Sequence, residues 1–283
     1  MRTLILLCLL LPLQAFSATS LWRVSNGENE LLLGGTVHVL GKNDYPLPEE
    51  FTQAYNAAQM LVLETDLKGI NTPEIQAQLL KDLMYSKGET LKQHIKPATY
   101  QTLEHYLQGI KAPIAAFAQF KPTMVMLTLT IVELDRLKLA GAGVDEFFYK
   151  KAVADGKKLG QLESVQKQLT VLANIGKGHE DELILNTISE MAKLPNMMQD
   201  LKAAWRSGNV EKLEALEIAE LQKDYPALYQ SLLVERNMSW LPEIEAFLNT
   251  PEKELILVGA LHLAGKDGLL AQLQQRGFKV ERF

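Results

Sequence analysis

Glu30-Leu31-Leu32-Leu33-Gly34-Gly35-Thr36-Val37-His38 and Met60-Leu61-Val62-Leu63-Glu64, with Pro48-Glu49-Glu50-Phe51 opening the stretch between them, decide the fold of this 283-residue chain. Both outer segments are apolar runs of strand length. The middle carries proline in the first turn of a helix that runs through Gln59, with acids that complement its dipole. Strand, helix and strand form a βαβ unit, and a crossover of that length makes the two strands parallel. His38 and Glu64 are then expected at the carboxyl ends of neighbouring strands, where open α/β sheets build their sites.

Working outward, Leu21-Trp22-Arg23-Val24-Ser25 and Glu30 to Gly34 flank Asn26-Gly27-Glu28-Asn29, which reads as a β-hairpin because Asn-Gly tolerates the positive φ of a tight turn. The far end of the chain repeats the first phrase. Gly35-Thr36-Val37-His38-Val39-Leu40-Gly41 returns as Gly259-Ala260-Leu261-His262-Leu263-Ala264-Gly265, again after an apolar run, Leu255 to Val258. A strand is expected over Leu255 to Leu263, then a helix from Gly268 to Gln275 capped by Asp267, and a last strand over Phe278 to Arg282.

Between Thr72 and about Leu248 the spacing is helical, apart from a short strand candidate, Lys158 to Leu162. The run Leu183, Thr187, Met191, Leu194, Met198, Leu201, Trp205 marks one core-facing helix with a kink at Pro195, and a second long segment from Val210 is expected to break near Pro226 and Pro242. The resulting fold class is α/β: a central mixed, partly parallel sheet built from both chain ends. A large helical segment, about residues 72 to 250, packs around it within a single domain, residues 18–283.

The first residues, Met1-Arg2-Thr3 followed by the apolar stretch Leu4 to Phe16, read as a signal peptide cleaved after Ala15-Phe16-Ser17, so the chain is expected to be periplasmic or secreted. Cys8 is the only cysteine and lies in that leader. The mature chain therefore has no disulfide, no thiolate metal site and no cysteine nucleophile. A net charge of −5 with no basic run argues against nucleic acid or an anionic membrane as the main partner. The most apolar internal run, Met124 to Leu134, contains Thr128, Thr130 and Glu133 and reads as a buried helix, leaving no membrane span in the mature chain.

His38 and His262 are two of five histidines, and they occupy matching positions between glycines that allow close backbone approach. Two imidazoles and the Glu64 carboxylate are a ligand set for a divalent ion, Zn, Mn, Fe or Co, with positions left open for water or substrate. The reaction class would be hydrolysis. The same groups without a metal could run esterase chemistry, a histidine acting as general base oriented by Glu64. In a third reading the histidines hold haem or a metal with no turnover.

Arg236-Asn237 lies on a helix, where sequence favours a solvated charge or a pair with Glu235. The alternative is a guanidinium turned into the cavity to meet a substrate carboxylate or an oxyanion. Asp145 is explained by a helix N-cap, and Glu163 ends the short strand candidate near a helix start. His94, His105 and His179 fall in the helical part and are not expected to be ligands. Gly-rich phosphate loops, Gly-x-Ser-x-Gly and His-Glu-x-x-His are absent from the sequence.

Taken in order, Gly35-x-x-His38, Val62-Leu63-Glu64-Thr65-Asp66, Gly143-Val144-Asp145, Leu162-Glu163, Trp205-Arg206-Ser207-Gly208, Arg236-Asn237 and Val258 to Gly265 resemble the TraB/PrgY/GumN family, which includes the TIKI metalloproteases. The resemblance spans about residues 20 to 283. It implies a fold similar to erythromycin esterase and the ChaN-like haem-binding proteins, with His38, Glu64 and His262 as the catalytic or metal centre and Arg236 beside it. It also implies a metal-dependent peptidase acting on an exported peptide or protein. No C-terminal transmembrane region like that of the membrane-bound members is expected from this sequence.

Overall fold

A computed structural model describes residues 19–283, so the leader reading and Cys8 lie outside the described residues. The strands are β1 (Leu21–Ser25), β2 (Glu30–Thr36), β3 (Val39–Leu40), β4 (Met60–Leu63), β5 (Gly141–Ala142), β6 (Lys158–Gln161), β7 (Glu254–Gly259) and β8 (Lys279–Arg282). Six of them form one sheet in the order β6-β4-β7-β2-β1-β8, and β3 pairs with β5 in a separate ribbon. Pairing is parallel from β6 through β4 and β7 to β2, and antiparallel from β2 through β1 to β8. The sheet is thus mixed and draws its strands from both chain ends, with β6 supplied by the otherwise helical middle.

The helices used below are α1 (Glu49–Ala57), α2 (Pro122–Arg136), α3 (Val144–Asp155), α4 (Glu180–Met191), α5 (Leu194–Arg206), α6 (Glu235–Phe247) and α7 (Leu269–Gln275). Side-chain alternation along the strands splits the core in two. Leu32, Leu61, Leu63, Leu255 and Leu257 face Phe51 and Ala54 of α1 with most of the helical layer, while Leu33, Val62, Ile256 and Val258 face Trp240 and Ile244 of α6 and Leu269 and Leu273 of α7.

One expectation changes. β2 and β4 are parallel but not neighbours, because β7 lies between them. The local pattern specifies direction without specifying adjacency. Residues Leu255 to Val258 are each 1% exposed or less, so a place at the centre of the sheet, covered on both faces, removes the most apolar surface, about 2 kcal/mol for each such side chain.

Other differences are local. The strand expected to run to Leu263 stops at Gly259 and turns into a 3-10 helix, Ala260–Leu263, that carries His262. Pro195 separates α4 from α5 instead of kinking one helix, since it supplies no N–H and suits the first turn of the second. Pro226 opens a short helix, Pro226–Tyr229, as a first-turn proline does, but Pro242 sits inside α6, which continues through it. α7 starts after Gly268 with no side-chain cap, and Asp267 instead accepts a hydrogen bond from the Tyr229 hydroxyl at 2.7 Å. Among the described residues no helix is long and apolar enough to cross a membrane.

Candidate functional site

The parallel strands β2, β7, β4 and β6 each deliver one polar side chain just past their carboxyl ends: His38, His262, Glu64 and Glu163 respectively. From sequence Glu163 was placed at the end of a strand candidate without a role at the site, and it obeys the same rule. The β4–β6 pairing continues past both strands, through Leu162 N–H to Leu63 O and Glu163 N–H to Glu64 O at 2.9 Å, which brings the two glutamates side by side.

Arg236 joins them. It is buried at 8% exposure, so neither a solvated charge nor a surface pair with Glu235 describes it. Its guanidinium donates from Nη2 to Glu64 Oε2 at 2.6 Å and to Glu163 Oε1 at 2.8 Å, from Nε to the Glu163 carboxylate at 3.1 and 3.3 Å, and from Nη1 to His262 Nε2 at 3.0 Å. A planar fork with five donors is what allows one side chain to serve three acceptors. Asn237 and Trp240, on the same side of α6, complete the setting. Trp240 Nε1 donates to Glu163 Oε2 at 3.1 Å, and its ring lies 4.5 Å from the His262 ring and 4.6 Å below the guanidinium carbon.

Because arginine can only donate, the 3.0 Å contact makes His262 Nε2 an acceptor and puts the ring proton on Nδ1. That proton faces Asn237 Oδ1 at 2.7 Å, and the amide is held in this sense by donating from Nδ2 to the carbonyls of His262 and Asp267. His262 is therefore a fixed tautomer. Burial, with Arg236 and His38 as nearby cations, holds its pKa down at about 3 against the pull of Glu64, so it is neutral at physiological pH.

His38 stands apart in character. Its side chain is 61% exposed, and Nδ1 lies 3.2 Å from Asp145 Oδ1. Asp145 is not the cap of α3; Gly143 holds that position, with no side-chain capping bond, and Asp145 sits in the first turn. A Cβ on Gly143 would come within 2.3 Å of the His38 carbonyl group, so glycine there is what lets α3 approach closely enough to present Asp145. Desolvation opposes protonation of the His38 ring, but the Asp145 hydrogen bond and charge, with Glu64 behind, outweigh it and push the pKa up to about 9. Glu64 moves the other way. Burial raises it, but the charges on Arg236 and His38 and the Gly259 N–H, which donates to Oε1 at 2.7 Å, hold it well below the usual carboxylate range.

The geometry has a focus at Gly259. A Cβ built there would lie 3.3 Å from Glu64 Oε1, 3.4 Å from His38 Nε2 and 3.6 Å from His262 Cδ2, so the missing side chain leaves a gap that three of the expected residues surround. The donor types suit a divalent ion. Each histidine has Nδ1 tied to an oxygen, Asp145 in one case and Asn237 in the other, which is the outer-shell arrangement that fixes Nε2 as the coordinating atom.

The fit has one condition. His38 Nε2 and Glu64 Oε1 face the gap, whereas His262 Nε2 is occupied by Arg236, and among the described residues no three acidic or imidazole groups close around a point without that contact being exchanged. The remaining histidines take no part in the polar contacts of this cluster: His94 stacks on Tyr85, and His179 pairs with Glu182 at 2.8 Å.

A mixed sheet with a buried polar cluster at the carboxyl ends of its parallel strands defines an α/β protein with a candidate active site at those strand ends. The chain belongs to the TraB/PrgY/gumN family, whose sequence profile matches residues 20–282. It is similar to the uncharacterized protein YbaP of Escherichia coli (strain K12), at 23% identity over 88% of this chain and 89% of that protein. The same values hold for YbaP of Shigella flexneri. No solved structure matches the chain.

Proposed function

We propose that this protein is a hydrolase centred on His38, Glu64 and His262, assisted by a divalent ion. The observation that carries the reading is the gap at Gly259, faced by His38 Nε2 and Glu64 Oε1 and bordered by the edge of His262. His38 and Glu64 would hold the ion, with His262 added when Arg236 releases its Nε2. The ion, Zn, Mn or Co, would polarise an acyl carbonyl and ease the ionisation of water.

The chain's own residues do the rest. Asp145 and Asn237 orient the two imidazoles. Glu163 keeps its hold on the guanidinium while Arg236 exchanges partners, which leaves a positive charge beside the centre where negative charge develops on the substrate. A peptide or protein substrate, and a periplasmic or secreted location, rest on the resemblance to the TIKI metalloproteases and on the leader reading.

A metal-free reading has its own support. Groups whose surroundings drive their pKa values apart mark an acid and a base, and across the Gly259 gap His38 is raised while Glu64 is lowered. At neutral pH His38 would then give a proton to the leaving group and Glu64 would accept one from water. The two readings separate in one experiment, in which protein purified without added metal is assayed by elemental analysis and by cleavage of a mixed peptide library. The metal reading expects cleavage that a chelator removes and Mn, Co or Zn restores, and that is lost in His38→Ala, Glu64→Ala and His262→Ala. Chelator-resistant cleavage that still needs His38 and Glu64 would select the acid–base pair. Absence of cleavage in every condition would refute both as a peptidase.

A further inference from the structure

The helical layer contains a cavity of about 390 Å³ between α2, α4, α5 and the π-helical segment Glu214–Ile218, and it shares no lining residue with the cluster around Gly259. Its wall is largely apolar: Met126, Leu183, Met191, Met197, Leu216 and Leu221. Volume and lining are those of a small-molecule site, and methionine walls adapt to ligand shape. One polar feature is unmet. Glu217, on the π-helical segment, lines the cavity, and its Oε1, set back behind the cavity surface, has no hydrogen-bond partner among the described residues. A carboxylate oxygen removed from water and left unpaired is costly, so a fold that keeps one is expected to pair it with something. Single-turn π-helices also tend to occur at functional sites.

We infer that this cavity binds a small molecule carrying one cationic group, an ammonium or guanidinium, on an apolar body. The charges around it select that sign. Glu220 also lines the cavity and has no salt-bridge partner among the described residues, whereas Glu190 beside it is paired with Lys193 at 2.8 Å. Two other polar lining groups satisfy each other, Asn186 donating to the Tyr225 hydroxyl. Two groups register the surplus of negative charge. Burial, Glu220 and Glu190 push the Glu217 carboxyl up to about 7, and burial with Asp224, Glu220, Glu182 and Glu190 raises Tyr225. A cation restores ionisation at Glu217. A neutral alcohol could offer the Glu217 carboxyl one hydrogen bond but no compensating charge, and an anionic ligand would be repelled by it.

The test compares n-octylamine, n-octanol and n-octanoate by calorimetry at about pH 8, where Glu217 ionises readily. Spectra of 13C-methyl methionine report the location. The amine is expected to bind at least roughly tenfold tighter than the alcohol, about 1.4 kcal/mol, with octanoate weakest and with shifts at Met126, Met191 and Met197. Glu217→Gln should fold and bring amine and alcohol to nearly equal affinity. Should that variant not fold, Met197→Trp, which fills the cavity, should abolish amine binding while the cluster at Gly259 is untouched. Equal affinities in the wild type, a preference that survives Glu217→Gln, binding that survives Met197→Trp, or no binding at millimolar amine would each overturn the inference.

Discussion

Arg236→Met tests the candidate site without requiring a substrate. The wild-type guanidinium is buried and joins Glu64, Glu163 and His262 through contacts of 2.6, 2.8 and 3.0 Å. Methionine keeps much of the apolar stem but leaves two carboxylates out of water with no cation between them. Breaking a buried pair from one side costs about 3–5 kcal/mol, more than the loss of packing, because the remaining charge is uncompensated. For a domain of this size each kcal/mol is worth roughly 2–4 °C, so the melting temperature should fall by about 10 °C. Arg236→Lys should lie between, since an ammonium keeps the charge and loses the fork. The decisive measurement is the cycle with Glu163→Gln. Removing the stranded carboxylate should return about 2 kcal/mol, making Arg236→Met with Glu163→Gln less destabilised than the sum of the two single changes. Unfolding by urea at pH 7 gives these numbers. A single-variant cost below about 1 kcal/mol, or additivity within about 0.5 kcal/mol, would refute a buried, mutually dependent cluster.

Three further outcomes follow from the same geometry. Gly259→Ala places a methyl group 3.3 Å from Glu64 Oε1 and 3.4 Å from His38 Nε2, so it should remove ion binding and any hydrolysis while leaving a cooperatively folded protein; full activity in this variant would mean that the gap is not the reaction space. In Asp145→Asn the carboxylate that stabilises the His38 imidazolium is gone, so the His38 pKa should fall from about 9 toward the ordinary 6.5 or below, read from its ring proton shifts; an unchanged titration would show that Asp145 does not govern this ring. Glu254, 2% exposed at the start of β7, has its carboxyl raised by burial from the usual 4.5 to about 7, so the unfolded chain ionises first and stability is lost as pH climbs through that interval. Glu254→Gln should therefore match the wild type near pH 4 and exceed it by roughly 3 kcal/mol above pH 7, and a gain of equal size at both pH values would point to a cause other than ionisation.

Sequence by itself determined what depends on near neighbours along the chain. The Asn26-Gly27 hairpin, the parallel sense of β2 and β4, the helical middle and the position of His38 and Glu64 past strand ends all follow from periodicity, turn chemistry and crossover length, which act over a few residues to a few tens. The order of motifs along the chain was sufficient to indicate the family. Tertiary structure alone decided which elements distant along the chain became partners. β7 took the place between β2 and β4 because burial on both faces, a property of the whole sheet, outweighs adjacency in sequence. Local sequence favoured a surface charge at Arg236, and only the resemblance put it beside the centre, because its partners, Glu64 and Glu163, lie 172 and 73 residues away and no local pattern carries information over that separation. The same holds for Asp145, whose local environment suited a cap but whose carboxylate meets His38 across 107 residues. Ionisation was decided last, since the two histidines sit in nearly identical phrases and differ only in what folding brings to them. The exposed one gains a carboxylate partner, the buried one an arginine, and their proton affinities move in opposite directions.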